Sequence, residues 1–207
     1  MGKILIGCEE SQTITKTFRE AGLEAYSCDL LPTRGNPEWH LEQDVVDVIP
    51  LIQWDLIILH PECTAMALSG NRWYSKGMPH HYKRLEAVAW TLRVWEMAKL
   101  HSQRAALENP VGVLFQNIPE RVQYIQPWEF GEDASKKTGF ALHNLPSLLP
   151  TDVLTRERYA NQTASGQNKL GPSLTRKRDR SKTYQGIASA IVNQWGGLLQ
   201  TGGKTDA

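Results

Sequence analysis

The chain has 207 residues, enough for one domain with a full core, with or without a small lobe. Its net charge of +1 excludes a chain-wide basic field and leaves only a local patch for a polyanionic partner. Cys8, Cys28 and Cys63 are odd in number and lack CxxC spacing, which argues against a disulfide framework and for a reducing, cytoplasmic setting. No apolar run approaches the roughly 20 residues of a membrane span, and the chain enters a strand at once, so no signal peptide is evident.

In chain order, strands and helices alternate. Lys3 to Gly7 reads as a strand. Ser11 to Ala21 reads as a helix, with Ile14, Phe18 and Ala21 on one face and Gly22 as its stop. Glu24 to Ser27 is a second strand running into Cys28 and Asp29, and Pro32 to Pro37 is a loop. A short segment lies around Leu41, ahead of Asp44. Leu56 to Leu59 is a short apolar run, the pattern of a strand covered on both faces. Pro61 stops it, because it has no N–H for the ladder, and Cys63 follows just past its carboxyl end. Thr64 to Pro79 reads as a long loop. Tyr82 to His101 reads as the clearest helix, with Leu85, Val88, Leu92, Trp95 and Ala98 as its apolar stripe. Arg104 to Leu107 is the next strand, ending at Glu108-Asn109-Pro110. A last helix, from about Gly186 to Leu199, carries Ile187, Ile191 and Trp195, and Thr201 to Ala207 reads as a frayed tail. This alternation predicts an α/β fold, Rossmann-like, with a mostly parallel sheet and helices on both faces.

In such sheets ligands bind beyond the carboxyl ends of the strands. Cys63 and Glu108 fall at two predicted strand ends, and Asp29 and Asp44 at or near two others. Asp29 stands where an acidic residue accepts hydrogen bonds from ribose hydroxyls. The first turn, Gly7-Cys8-Glu9-Glu10-Ser11-Gln12, has one glycine and two carboxylates. It suits a helix dipole but repels a pyrophosphate, so a cationic nucleoside such as S-adenosylmethionine (SAM) fits the charge better. Basic and aromatic residues interleave at Arg72, Trp73 and Lys76. A basic run also follows, with Lys169, Arg176, Lys177, Arg178, Arg180 and Lys182; both suit phosphate and base contact. His80-His81 lacks companions at ligand spacing, so no metal site is expected.

The order of these elements resembles the catalytic domain of the DNA cytosine C5-methyltransferases, in a compact, divergent, phage-like form. Pro61-Glu62-Cys63-Thr64 is similar to that family's Pro-Pro-Cys-Gln, and Glu108-Asn109-Pro110 to its Glu-Asn-Val. Ser135-Lys136-Lys137-Thr138 before Gly139 to Leu142 is similar to its Gln-x-Arg-x-Arg strand. Arg180 to Ala188 looks like its last motifs. The resemblance implies SAM as cofactor, DNA with a flipped base as partner, and methylation of cytosine at carbon 5. It implies Cys63 as nucleophile with a depressed pKa, Glu108 as a partly protonated acid at N3, Asn109 holding the Glu or the loop, and Lys136 alongside. Cys8, Glu9, Glu10, Ser11, Asp29, Leu30, Asp44, Val45 and Pro61 would line the cofactor. Residues 1–144 would form the catalytic domain, 145–179 a reduced recognition segment, and 180–200 a helix packing back. The chain departs from the family in lacking its glycine-rich first motif and in carrying Glu62 for a proline. Two readings stay beside this one: the same chemistry on a free pyrimidine nucleotide, and a non-catalytic nucleic-acid-binding relative.

Overall fold

In the computed structural model, which describes residues 2–165, 169 and 182–200, the alternation builds one sheet. Strands β1 (Lys3–Gly7), β2 (Glu24–Asp29), β3 (His40–Glu42), β4 (Leu56–Leu59), β5 (Ala105–Pro110), β6 (Val122–Ile125) and β7 (Thr138–His143) pair in the order β3-β2-β1-β4-β5-β7-β6. β1 to β5 pair with one another in parallel, and β7 runs antiparallel to both β5 and β6.

Alternation along the strands sends side chains to two cores. Ile4, Ile6, Leu56, Ile58 and Ala106 face one side, where α1 (Thr13–Glu20) packs beside α5 (Gln185–Trp195). Leu5, Ile57, Leu59, Ala105 and Leu107 face the other, under α2 (Val45–Val48) and α4 (His81–Leu100). The short helices α3 (Asn71–Tyr74) and α6 (Gly197–Gln200) complete the set. Among the described residues no helix is long and apolar enough to cross a membrane.

Several expectations are corrected. α1 starts at Thr13, not Ser11, because the buried carboxylate of Glu9 accepts the first free N–H groups of the helix. Of the stripe assigned to the long helix, Trp95 and Ala98 are buried and Val88 and Leu92 pack against the same core, and only Leu85 departs from it. Thr91, Val94, Trp95 and Ala98 are buried together with Arg84, whereas Leu85 is 58% exposed. The span 64–79 is not all loop, since it holds α3 and a preceding 3₁₀ turn at Leu68–Gly70. β6 was not foreseen. It is an edge strand whose Gln123 and Tyr124 break the apolar pattern. From Leu145 to Ser165 the chain forms no helix or named strand, and Asn161 ties it back by accepting the N–H of Ser135 at 2.9 Å.

Candidate active site

The register of the parallel strands fixes where chemistry can occur. Gly7 pairs with Leu59, and Leu59 with Leu107. The next residues, Cys8, His60 and Glu108, therefore lie at one level toward the carboxyl edge, the first two just past their strands and Glu108 still in β5, paired with Phe140 of β7. Gly7 pairs on its other side with Cys28, which puts Asp29 at that level too.

Past β4 the chain makes a tight turn that presents Cys63. The Cys63 carbonyl accepts the N–H groups of Met66 (2.9 Å) and Ala67 (2.8 Å). Two hydrogen bonds hold this turn against the segment after β5. Val113 N–H donates to the Met66 carbonyl at 3.0 Å, and Leu68 N–H to the Val111 carbonyl at 3.1 Å. Gly112 is a glycine because a Cβ there would lie 2.9 Å from the Met66 carbonyl carbon and 3.0 Å from Ala67 Cα. Asn109, wholly buried, donates through Nδ2 to the Pro61 carbonyl at 3.3 Å, while its Oδ1 has no protein partner. Asn109 thus holds the loop rather than Glu108. Arg84 reaches in from α4, its Nε donating to the Ala65 carbonyl at 2.7 Å and a terminal nitrogen to Asn71 Oδ1 at 2.9 Å.

Glu108 lies beside His60, Nδ1 to Oε2 3.3 Å. Burial alone would raise the Glu108 pKa, but the His60 hydrogen bond and the charges of Lys136 and His60 outweigh it, and the carboxyl is held below its ordinary value. The expectation of a carboxyl kept partly protonated by burial is therefore corrected: its neighbours favour the ionised form. Cys63 is corrected as well. Burial, then the Glu108 charge, raises its thiol pKa; Lys136 opposes this and Glu62 adds to it. Lys136 thus acts electrostatically on both groups. It shares with Glu108 a small depression completed by Thr138, Phe140, Thr183, Tyr184 and Ile187.

Along the same edge, the first turn is built by packing. A Cβ on Gly7 would meet Leu59 Cδ2 and Val45 Cγ2, each at 2.7 Å. Cys8 takes a left-handed φ of 61°, and burial raises its thiol pKa, with Asp29, Cys28 and Asp44 adding to the rise. Glu9 points inward. Its carboxylate accepts Ile14 N–H (2.7 Å), Thr15 N–H (3.3 Å) and the Thr15 hydroxyl (2.7 Å). Burial raises its pKa against His60 and these donors. Glu10 forms a paired contact with Arg34, Oε1 at 2.8 Å and Oε2 at 2.9 Å, and Ser11 Oγ lies 3.3 Å from Thr13 Oγ1. Asp29 is half-buried, which raises its pKa, and its Oδ1 accepts Leu31 N–H at 2.9 Å. Leu30 is exposed, Val45 and Pro61 are buried, and Asp44 caps α2 by accepting Val46 N–H at 3.0 Å.

Arg72, Trp73 and Lys76 are exposed on and after α3, with the Arg72 guanidinium 5.2 Å from the Trp73 ring. Arg176, Lys177, Arg178 and Arg180 lie outside the described residues. His60 and Arg84 escaped the sequence reading. His60 had one signal, a titratable side chain between the strand and the Pro-Glu-Cys turn; Arg84 had none, being one of several cations on its helix.

The sheet order, with one antiparallel strand set between β5 and β6, and the candidate site at the carboxyl edge define a Rossmann-like α/β fold. No family model and no curated protein matches the chain. Among solved structures, the chain is similar to the Schizosaccharomyces pombe Dnmt2 methyltransferase, at 14% identity and a TM-score of 0.40 over 71% of this chain and 50% of that one. A Spodoptera frugiperda DNMT2 mutant matches at 15% identity and a TM-score of 0.40, over 75% of this chain and 55% of that one. WbdD, described as a bifunctional kinase-methyltransferase, matches at 12% identity and a TM-score of 0.42, over 72% of this chain and 37% of that one. The chain thus spans about a third to a half of the length of these structures.

Proposed function

We propose that the protein methylates carbon 5 of a cytosine in DNA, with SAM as methyl donor. The observation that carries this reading is the juxtaposition of Cys63, past the end of β4, with Glu108 in its parallel neighbour β5 and Lys136 ahead of β7, the Cys63 loop being tied to β5 by Asn109. A thiolate adding to C6 of cytosine makes C5 nucleophilic, which splits one difficult step into two easier ones. The electron pair displaced from the C5–C6 bond delocalises toward N3, where a proton from the Glu108 carboxyl is needed. Lys136 favours the Cys63 thiolate and the ionised carboxylate alike.

The cofactor fits the charge of the edge. Asp29 and Asp44 are close enough to act on Cys8, and Glu10 on Asp29, so a sulfonium and an ammonium suit this edge better than phosphates. Asp29 would hold the ribose, beside the Gly7–Cys8 turn. When bound, SAM supplies an electrophilic methyl group. Arg72, Trp73 and Lys76, with Arg176, Lys177, Arg178 and Arg180, would meet the DNA, whose target base must leave the stack to reach Cys63. Residues 145–179 would serve as a short recognition segment.

The test uses duplex DNA carrying 5-fluorocytosine. Fluorine cannot leave C5 as a cation, so the Cys63 adduct should survive denaturation. It should require SAM, vanish in Cys63→Ser, and form normally in Cys8→Ser and Cys28→Ser. SAM and DNA binding without any trapped adduct overturns the reading, and trapping only with a free nucleotide moves the substrate to that class.

A further inference from the structure

The proposed acid at N3 has a difficulty: Glu108 is held ionised by its surroundings, yet the addition at C6 calls for a proton at N3. His60 is the group placed to resolve it. Its side chain is 10% exposed, its Nδ1 faces Glu108 Oε2 at 3.3 Å, and its Nε2 is buried without a protein partner. Backbone geometry fixes the position of the residue. His60 N–H donates to the Gly7 carbonyl at 2.9 Å, and Pro61 follows at once. A second carboxylate, Glu9, interacts with His60 from the β1–α1 turn. Glu9 is already engaged by Ile14 and Thr15 in capping α1, which leaves Glu108 as the carboxyl that His60 contacts directly.

We propose that His60 is a positioning residue that holds the proton which Glu108 delivers to N3 of the target cytosine; this rests on the C5 reading of the site. As the Cys63 thiolate forms its bond to C6, the C5–C6 π pair moves toward C4 and N3. N3 takes the proton from the Glu108 carboxyl, which has drawn it from His60 Nδ1, leaving neutral imidazole and carboxylate. When the C6–S bond breaks and its pair leaves with sulfur, C5=C6 reforms, N3 returns its proton to Glu108, and His60 recovers it. The charged and titratable groups around the pair are Glu9 in the first turn, Glu62 and Cys63 in its own loop, Lys136 before β7, and Tyr184 before α5. They modulate the pair, but among the described residues only His60 is hydrogen-bonded to the Glu108 carboxylate.

The reaction offers a readout that needs no cofactor. In the C6 adduct, C5 can exchange its hydrogen with water, so tritium at C5 of cytosine in duplex DNA is released as the thiol adds and leaves. The wild type should release tritium with a bell-shaped pH dependence whose alkaline limb reports loss of the proton shared by the pair. In His60→Gln the carboxyl must hold that proton alone, so the position of the alkaline limb should change, with the maximum rate down roughly 10- to 100-fold. A uniform fall in rate with the limb unmoved makes His60 merely structural and overturns the proposal while leaving the C5 reading intact. No tritium release and no trapped 5-fluorocytosine adduct in the wild type takes down both. Should His60→Gln fail to fold, ¹⁵N-histidine spectra of the wild type and Glu108→Gln decide it. The wild type should show His60 Nδ1–H hydrogen-bonded to the carboxylate and Glu108→Gln a displaced Nδ1 signal, and an identical Nδ1 signal in both overturns the shared proton.

Discussion

Gly112 offers a test of whether the distance between the two strand-end loops matters. In Gly112→Ala the new Cβ would lie 2.9 Å from the Met66 carbonyl carbon, where ordinary contact begins at 3.4 Å, and closer still to the carbonyl oxygen. The carbonyl carbon must therefore retreat by at least 0.5 Å, the difference 3.4 − 2.9. Both neighbours are backbone, so no side chain can swing away. The retreat stretches the Val113 N–H bond to the Met66 carbonyl and carries the Cys63 turn away from Glu108. Overpacking of this kind costs about 1–3 kcal/mol of stability. Catalysis should suffer more than stability, because misplacing reacting groups by about 1 Å can cost on the order of 100-fold; a roughly 10- to 100-fold slower trapping of 5-fluorocytosine is expected. Urea melts and adduct formation on the same preparation measure both. Gly197→Ala is the control, since a Cβ there meets nothing within 4 Å. A Gly112→Ala protein that traps the analogue at the wild-type rate would refute the argument that this contact sets the position of Cys63.

Asp29→Ala should weaken SAM binding by about 1–3 kcal/mol in calorimetry, the cost of removing a charged acceptor from ribose hydroxyls; unchanged affinity removes Asp29 from the site. Thr15→Val removes the hydroxyl that donates to Glu9 at 2.7 Å. Because the pKa of Glu9 is raised in the folded protein, its contribution to stability is largest below the ordinary carboxylate range and is lost as pH rises through the folded value. The Thr15 hydroxyl counters that loss, so the variant should be close to wild type in urea melts at pH 4 and less stable by about 1.5–3 kcal/mol at pH 8; an equal deficit at both pH values contradicts this. Trp195→Ala should cost about 3–5 kcal/mol, since the side chain is fully buried, edge-on to Phe140, and donates to the Pro146 carbonyl at 3.0 Å. A loss below about 1 kcal/mol would mean that α5 is not the closing element of its core.

The end of β4 was legible because an apolar run cut off by Pro61 leaves few alternatives for a parallel sheet, whereas β5 runs on through Glu108-Asn109-Pro110 by pairing with β7, which an apolar run ending at Leu107 does not show. What could not be read was which side chains meet across strands. His60 and Glu108 are 48 residues apart, and their contact follows only from the register that sets Leu59 against Leu107. The ionisation of Glu108 was misjudged for the same reason, since burial was considered without the imidazole and ammonium that oppose it. α4 misled differently. Apolar residues occur all round it, so Leu85 fits a helical stripe as well as Val94 does, and only packing separates them.

α5 places Ile187, Ala188, Ile191 and Trp195 in the same core as Ile4, Ile6, Ile14 and Phe18. This has a consequence during synthesis. The first strand and helix leave the ribosome long before the helix that covers them. At about 5–20 residues per second their apolar face waits on the order of 10 s or more for α5. Over that interval a chaperone, or a neighbouring nascent chain, meets the surface that the finished molecule hides. Slowing translation just upstream of Gln185 should therefore lower the soluble yield without changing any property of the folded protein.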